Sequence, residues 1–185
     1  MRPSHTTDAL EPPTEWVDVV DDDDRVVDTV TRAAMRAHRL QHRAVFVAVV
    51  SPPTGVSSRR VLVHRRSDHK DIWPGRWDLA VGGVVSAGES YDTAAVREVA
   101  EEVGVHGAEP TPLGSGRYVD ADVALLGRCY VVVHEGPVSF DDGEVVEARW
   151  VTAADLDAML ADVVRTPFVP DSVALVLPLV RSMLG

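Results

Sequence analysis

The segment 83–105 constrains the fold of this chain more than any other part. Its second half, from Glu89 to Val103, has the pattern of an amphipathic helix, and Gly104 suits the position after a helix because glycine readily adopts left-handed backbone angles. At about 100° per residue, one face of this helix is apolar. That face comprises Ala95, Val96, Val99, Ala100 and Val103. The pattern therefore predicts a helix that packs on a core by this face.

A neighbouring face of the same helix is acidic. Glu98, Glu101 and Glu102 fall within about 100° of one another on the helical wheel. Like charges three and four residues apart cost roughly 0.2–0.5 kcal/mol per pair. From the helix alone two explanations stay open: solvent screens the repulsion, or a divalent cation removes it. Mg²⁺ is typically held by one or two carboxylates together with substrate phosphates.

The residues around this helix complete a longer pattern. Gly82 and Gly83 end a predicted strand, where a backbone can approach a ligand closely. Glu89 suits the positive end of the helix dipole, and Arg97 is placed to pair with it. Together the residues read G-x5-E-x7-R-E-V-x-E-E-x-G-V, which is the Nudix box, complete at its nine defining positions.

The chain therefore resembles the Nudix family. The likeness extends over most of residues 43–165, through a Trp-Pro-Gly loop at 73–75 and the segment 144–151. The resemblance implies an α+β fold of the Nudix type, an α/β/α sandwich with a mixed central sheet. It also implies a hydrolase that uses Mg²⁺ or Mn²⁺ and cleaves the diphosphate linkage of a small molecule, such as a nucleoside diphosphate joined to another group.

The resemblance further implies roles for single residues. The metal ligands are Glu98, Glu101, Glu102 and the carbonyl of Gly82, and the catalytic base is Glu101 or Glu98. The positions that support the box structurally are Gly83, Glu89, Arg97 and Gly104. In some family members a later acid is the base, and the candidates here are Glu144, Glu147, Glu135 and Asp120. The sequence leaves this choice open, because clustered carboxylates titrate as a coupled set.

Residues 65–77, with the pattern R-R-x-x-x-K-x-x-W-P-G-x-W, and the following G-E-S resemble the isopentenyl-diphosphate isomerase-like branch of the family. This likeness implies that Arg66 and Lys70, the only lysine of the chain, bind the substrate diphosphate. The alternative is that both are solvent-facing loop charges. The isomerase needs a cysteine where this chain has Gly82 and a histidine where it has Val84, so we expect hydrolase chemistry on an isomerase-like scaffold.

Two other functions are considered beside hydrolysis. One is isomerisation of a prenyl diphosphate, which Gly82 and Val84 disfavour. The other is a non-catalytic module that senses a nucleotide, which the complete box disfavours. Trp73 and Trp77 are expected to anchor their loop rather than to stack on a ligand.

Composition excludes several further classes. The 29 acidic and 18 basic residues give a formal net charge of −11, which disfavours a partner with a phosphate backbone, so no nucleic acid is expected. A single cysteine, Cys129, excludes an intramolecular disulfide and is expected in the core. No stretch approaches the roughly 20 apolar residues of a membrane span, and the N-terminus has no apolar signal core, so we expect a cytoplasmic protein.

The remaining pattern predicts one domain at 15–185 after a disordered leader at 1–14. A hairpin at 15–31 has an acidic tip at Asp21–Asp24, and its expected role is in oligomerisation or at the edge of the substrate site. Further strands are predicted at 43–50, 59–64, 79–85, 117–118, 123–134 and 145–151, and further helices at 32–40, 152–164 and 171–184, the last capped by Asp171. The family resemblance favours a homodimer.

Overall fold

The structure, a computed structural model, describes residues 14–53, 59–140 and 143–184. Apart from Thr14, the predicted leader lies outside these residues. The strands are β1 (Trp16–Val20), β2 (Val26–Thr31), β3 (His42–Val50), β4 (Val61–Arg66), β5 (Trp77–Asp78), β6 (Thr111–Val119), β7 (Ala124–Val133) and β8 (Val145–Val151). The helices are α1 (Arg32–Ala37), α2 (Tyr91–Val103), α3 (Ala153–Ala161), α4 (Pro170–Leu175) and α5 (Leu177–Leu184).

The strands form a mixed sheet around β3, as predicted. β3 runs parallel to β7 along its whole length, from His42 opposite Leu125 to Val50 opposite Val133. The other strand pairs are antiparallel: β1 with β2 and β3, β4 with β3, β5 and β8, and β6 with β7. A strand in the middle of such a sheet is buried on both faces, which explains why β3 is almost entirely apolar.

Helices cover both faces of this sheet. On one face, alternate residues of β3 (Val45, Val47 and Val49) share a buried cluster with Ala95, Val99 and Val103 of α2. On the other face, Ala44, Phe46, Ala48 and Val50 belong to a cluster with Leu156 of α3, Val176 before α5, and Val180 and Leu184 of α5. Because successive side chains of a strand point to opposite faces, β3 contributes residues to both cores. The predicted α/β/α layering is present.

Several predicted elements differ from the observed ones. Residues 79–85 form only isolated bridges, Val81 to Val47 and Val84 to Ala44. These bridges lie on either side of Gly82, whose backbone passes so close to β3 that a Cβ on it would overlap the carbonyl oxygen of Val45. The predicted last helix is two helices that break at Val176, and Asp171 is not its cap, since the N-cap of α4 is Val169.

Other predicted boundaries move by a few residues. Strand β6 starts at Thr111 instead of Arg117, α1 ends at Ala37, and α3 ends at Ala161. The loop predicted at 51–58 lies partly outside the described residues. In the described part of the chain no helix is long and apolar enough to cross a membrane.

The N-terminal hairpin is present and lies against the box. Asp18 accepts a hydrogen bond from the backbone N–H of Gly88 at 2.9 Å, and the N–H of Ala87 donates to the carbonyl oxygen of Trp16 at 2.9 Å. At the tip of the hairpin, Arg43 of β3 donates through Nε to Asp24 at 2.6 Å. These contacts fix the hairpin at one edge of the site described below.

The packing of α2 on β3 gives a matched pair of substitutions. Val99 is fully buried in this contact, whereas Val96, which the wheel placed on the apolar face, is 41% exposed. We expect Val99→Ala to lower the free energy of unfolding by about 2 kcal/mol, through lost burial and a residual cavity. Val96→Ala makes the same chemical change at the surface and should stay within about 0.5 kcal/mol of the wild type. Urea denaturation of both variants measures the difference, and equal losses would contradict this packing.

Candidate active site

Helix α2 is held at both ends by local contacts. The hydroxyl of Ser90 accepts a hydrogen bond from the backbone N–H of Thr93 at 3.1 Å and so caps the first turn. At the other end Gly104 has φ 67°, the left-handed conformation expected after a helix. A side chain at this position would also overlap the hydroxyl of Ser139. These ends set which face of α2 meets the sheet.

The three glutamates of α2 line one cavity with the backbone of Gly82 and Gly83. We call this space, about 400 Å³ in volume, the carboxylate cavity. Glu98 is 8% exposed and Glu102 is 3% exposed, whereas Glu101 is at the surface. A Cβ on Gly83 would lie 2.5 Å from an Oε atom of Glu98, so only glycine lets that carboxylate approach the backbone. The acidic face of α2 therefore points into the molecule at two of its three positions.

Arg97 joins the box into one hydrogen-bonded unit. Its Nη1 donates to Glu98 at 2.8 Å and to Glu101 at 3.1 Å, while Nε and Nη2 donate to the two oxygens of Glu89, each at 3.0 Å. Glu89 also accepts from the backbone N–H of Ser86 at 3.1 Å. The expected pairing of Arg97 with Glu89 is present, and it ties the loop before α2 to the middle of the helix.

Lys70 provides positive charge on the opposite side of the cavity. Its Nζ lies 3.4 Å from Oε1 of Glu102 and contacts Oε2 of Glu144. Oε2 of Glu102 accepts from the backbone N–H of Gly82 at 3.3 Å. Burial raises the pKa of Glu102 to about 8; the charges of Glu98 and Glu144 add to the rise, and that of Lys70 opposes it. Burial likewise raises the pKa of Glu98, against the effect of Arg97.

The structure separates the four later acids that the sequence left open. Glu144, which precedes β8, is among the residues that line the carboxylate cavity. The other three are not among the described lining residues. Glu147 forms an ion pair with Arg149. Asp120 accepts hydrogen bonds from the hydroxyl of Tyr118 and from the backbone N–H of Val123.

A second cavity, about 180 Å³ in volume, adjoins the first, and we call it the arginine pocket. Its basic lining residues are Arg32, Arg36, Arg66 and Lys70. The two cavities share lining residues, among them Lys70, Gly82, Gly83 and Glu144. Apolar walls come from Phe46, Ile72, Trp73 and Leu125. The two cavities therefore share part of their wall.

Arg66 and Lys70 are not solvent-facing loop charges. Their side chains are 15% and 17% exposed, so that alternative is wrong. The guanidinium of Arg66 lies 3.6 Å from a carboxylate oxygen of Asp78, and its Nη2 donates to the carbonyl oxygen of Ile72 at 3.0 Å. Arg66 thus faces the arginine pocket with its terminal nitrogens already engaged.

Sequence reasoning missed several residues of these two cavities. Trp16 and Arg32 come from the hairpin region and line the carboxylate cavity, so the hairpin forms an edge of the site. Arg36 and Asp171 line the arginine pocket. Asp171 carried a signal that was interpreted as a helix cap, whereas Arg36 had no distinguishing spacing. The two loop tryptophans also differ: Trp77 is a buried core residue, and Trp73 packs edge-on against Tyr118 at the wall of the pocket.

The donor set of the carboxylate cavity fits a hard divalent cation. Its candidate ligands are carboxylate oxygens, with the backbone of Gly82 beside them, and Mg²⁺ prefers such oxygen ligands. Two of these carboxylates are buried with like charge, which requires nearby positive charge. In the described residues this positive charge comes from Arg97 and Lys70. No group of three acidic, histidine or cysteine side chains in that part of the chain is close enough together to surround a metal ion.

Comparison with known proteins identifies the family. A NUDIX domain model matches residues 40–171. A Salmonella typhi protein named "Uncharacterized Nudix hydrolase YfcD" is 36% identical over 170 residues, 91% of this chain and 87% of that protein. "Uncharacterized Nudix hydrolase SCO1686" of Streptomyces coelicolor is 39% identical over 163 residues, 86% of this chain and 85% of that protein.

A solved structure shows the same fold. The crystal structure of DR0079 from Deinococcus radiodurans superposes with a TM-score of 0.66 and 26% identity, and the match covers 80% of this chain and 89% of that one. The chain therefore belongs to the Nudix family. By its domain and its relatives it is a Nudix hydrolase.

A buried histidine of the arginine pocket leads to a prediction on pH. His42 lies in β3, and its Nδ1 is 2.9 Å from the carbonyl oxygen of Leu40. Burial lowers the pKa of His42 to about 4, from an ordinary value of 6.5. At pH values between about 4 and 6.5, His42 binds a proton in the unfolded chain but not in the folded chain. The contribution of His42 to stability is therefore complete above about pH 6.5 and falls as the pH drops toward 4.

The substitution His42→Asn removes this titration and keeps an amide that can donate to Leu40. From pH 7 to pH 5 the wild type should lose about 2 kcal/mol more of its free energy of unfolding than the variant does. His106→Asn, at an exposed position, is expected to keep the wild-type pH dependence. Urea denaturation at the two pH values tests this, and an unchanged dependence in His42→Asn would refute the assignment.

Proposed function

We propose that this chain hydrolyses a diphosphate linkage in a small molecule with the help of Mg²⁺ or Mn²⁺. The observation that supports this is the carboxylate cavity, where three glutamates of one helix meet the close-packed backbone of Gly82 and Gly83. An acidic helix exposed to solvent would leave these side chains at the surface. Here Glu98 and Glu102 are buried beside Arg97 and Lys70, and a divalent cation in the cavity would add to this compensation of their charge.

Glu98, Glu101, Glu102 and the carbonyl of Gly82 would hold the metal. Bound there, a divalent cation supplies neutralisation of the phosphate oxygens and a lower pKa for an attacking water. In the overall reaction, water oxygen forms a new bond to phosphorus, the bridging P–O bond breaks, and the leaving phosphoryl oxygen keeps that electron pair.

The side chains of this site have complementary tasks in that reaction. Glu101 or Glu98 takes a proton from the water, and Glu144 is the later acid that lies near enough to share this role. Arg97 orients Glu98 and Glu101 through its two hydrogen bonds. Lys70 provides an ammonium group beside Glu102 and Glu144, where it can bind a phosphate oxygen. Arg66, in the adjoining arginine pocket, would bind the substrate diphosphate together with Lys70.

Prenyl-diphosphate isomerisation is a weaker candidate. Gly82 has no thiol, and the Val84 side chain offers no metal ligand where the isomerase has a histidine. The nearest histidine on this wall, His42, is buried with a pKa lowered to about 4 by burial. The proposal also includes a cytoplasmic location, expected from the sequence pattern, and a homodimer, expected from the resemblance to the family.

The proposal is tested by a screen of diphosphate compounds at slightly alkaline pH, with Mg²⁺ and with Mn²⁺, in which released phosphate or pyrophosphate is measured. Nucleotide sugars, dinucleotide polyphosphates, nucleoside triphosphates, coenzyme A and prenyl diphosphates cover the main classes. We expect turnover of at least one class, its loss when the metal is chelated, and its return when either metal is added back.

Glutamate variants connect this turnover to the carboxylate cavity. Glu102→Gln and Glu101→Gln should each lower kcat/KM by about two orders of magnitude or more. Each substitution removes a carboxylate that would hold the metal, and the metal in turn would neutralise the charge that develops on the phosphate. Glu109→Gln is the matched control, because Glu109 is exposed and lies outside the described lining of the cavity. Wild-type rates in Glu102→Gln, or no turnover of any compound by the wild type, would refute the proposal.

A further inference from the structure

The arginine pocket contains unpaired polar atoms. In the described part of the chain three buried side-chain atoms have no hydrogen-bond partner: Nε of Arg36, Nε of Arg66 and Oδ1 of Asp171. All three residues line this one pocket. A buried polar group without a partner costs about 1–3 kcal/mol, so such groups are rare unless they serve a purpose. These atoms are themselves buried, but the side chains that carry them line the same cavity, which marks it as a candidate ligand site.

Arg36 differs from the other cations of the pocket. The others each have an acidic partner: Asp78 for Arg66, Glu144 for Lys70, and Glu15 for Arg32. Among the described residues nothing forms a hydrogen bond or an ion pair with the Arg36 guanidinium. Asp71 and Asp171 are close enough to act on its charge, and Arg32 and Arg66 oppose them. A guanidinium has five donors in a planar fork, which matches the oxygens of a phosphate or a carboxylate.

The volume of the pocket limits what binds there. An engineered cavity of roughly 150 Å³ holds a molecule the size of benzene, and drug-sized ligands need about 300 Å³ or more. At about 180 Å³ the arginine pocket suits a group of similar small size. This volume suits a small group better than a complete nucleoside. Since the pocket shares part of its wall with the carboxylate cavity, this group would be attached to the diphosphate that reacts there.

We propose that Arg36 binds an oxyanion, either a phosphate or a carboxylate, on a small group carried by the substrate beyond its diphosphate. Nε of Arg66 is a second donor for the same oxygens. Oδ1 of Asp171 is an acceptor for a neighbouring hydroxyl of that group. The link to a substrate rests on the proposed hydrolase function, but the oxyanion site itself does not.

The site is tested by NMR titration of the full chain in buffer stripped of metals. Without metal the three glutamates repel an anion, which favours binding of inorganic phosphate in the arginine pocket, and the Arg36 variants below separate this site from Lys70. Acetate is titrated separately, which distinguishes a phosphate site from a carboxylate site. We expect saturable shifts of the Arg36 side-chain Nε–H and of nearby backbone amides with at least one of the two anions.

Three variants assign the binding. Arg36→Gln should weaken the anion about tenfold or more, the loss expected for charge-assisted hydrogen bonds. Arg36→Lys keeps the charge without the planar fork and should fall between that variant and the wild type. Arg165→Gln makes the same change at an arginine whose side chain is 85% exposed, and it should bind like the wild type. Thermal melts confirm that each variant is folded.

The oxyanion site at Arg36 and the proposed hydrolase function can be refuted independently of each other. Wild-type anion affinity in folded Arg36→Gln, or no saturable shift with either anion in the wild type, overturns the role of Arg36. Hydrolysis is not needed for this result, and inactive Glu102→Gln should still bind the anion. Once a substrate with an anionic distal group is known, Arg36→Gln should raise its KM about tenfold and leave kcat nearly unchanged.

Discussion

The architecture of the site depends on the burial of two carboxylates of α2 against the backbone at Gly82 and Gly83. Glu98 reaches its position because residue 83 has no side chain, and Glu102 accepts a backbone N–H from residue 82. The cost of this burial is offset by Arg97 on one side and Lys70 on the other. The loop before α2 and the loop after β4 are therefore both held by the same acidic helix face.

Strand β3 connects this electrostatic centre to the rest of the fold. Its alternate residues pack on α2 and on the helices of the opposite face. It also forms a wall of the arginine pocket, which His42, Ala44, Val45 and Phe46 line. The same strand thus carries the core and the floor of the site, so that the position of the glutamates follows from ordinary hydrophobic packing.

Much of this arrangement could be predicted from sequence because it is local. The amphipathic pattern of α2 and the end of the helix at Gly104 depend on neighbours in the chain, as does the pairing of Arg97 with Glu89. The strand predicted at 79–85 was wrong, because this segment pairs with β3 only through isolated bridges on either side of Gly82. Val96 was placed in the core by periodicity, yet it is exposed, since the width of the buried face depends on how α2 sits on the sheet.

Most of the arginine pocket could not be predicted in the same way, although the resemblance to the family indicated Arg66 and Lys70. Its other charged residues come from α1, from the loop around Lys70, from β5, from the residue before β8 and from α4, and no spacing rule joins these segments. Arg36 and Asp171 became candidates only when the structure showed which buried atoms lack partners. If this pocket binds the substrate as proposed, specificity arises in the part of the fold where sequence motifs are least informative.

The close approach of residue 82 to β3 limits the chemistry that this backbone can carry. A Cβ at this position would collide with the carbonyl of Val45. A one-residue exchange therefore cannot install a thiol here unless the backbone beside the central strand shifts. The path of the main chain, as well as the identity of the residue, decides which reactive side chain this wall of the site can hold.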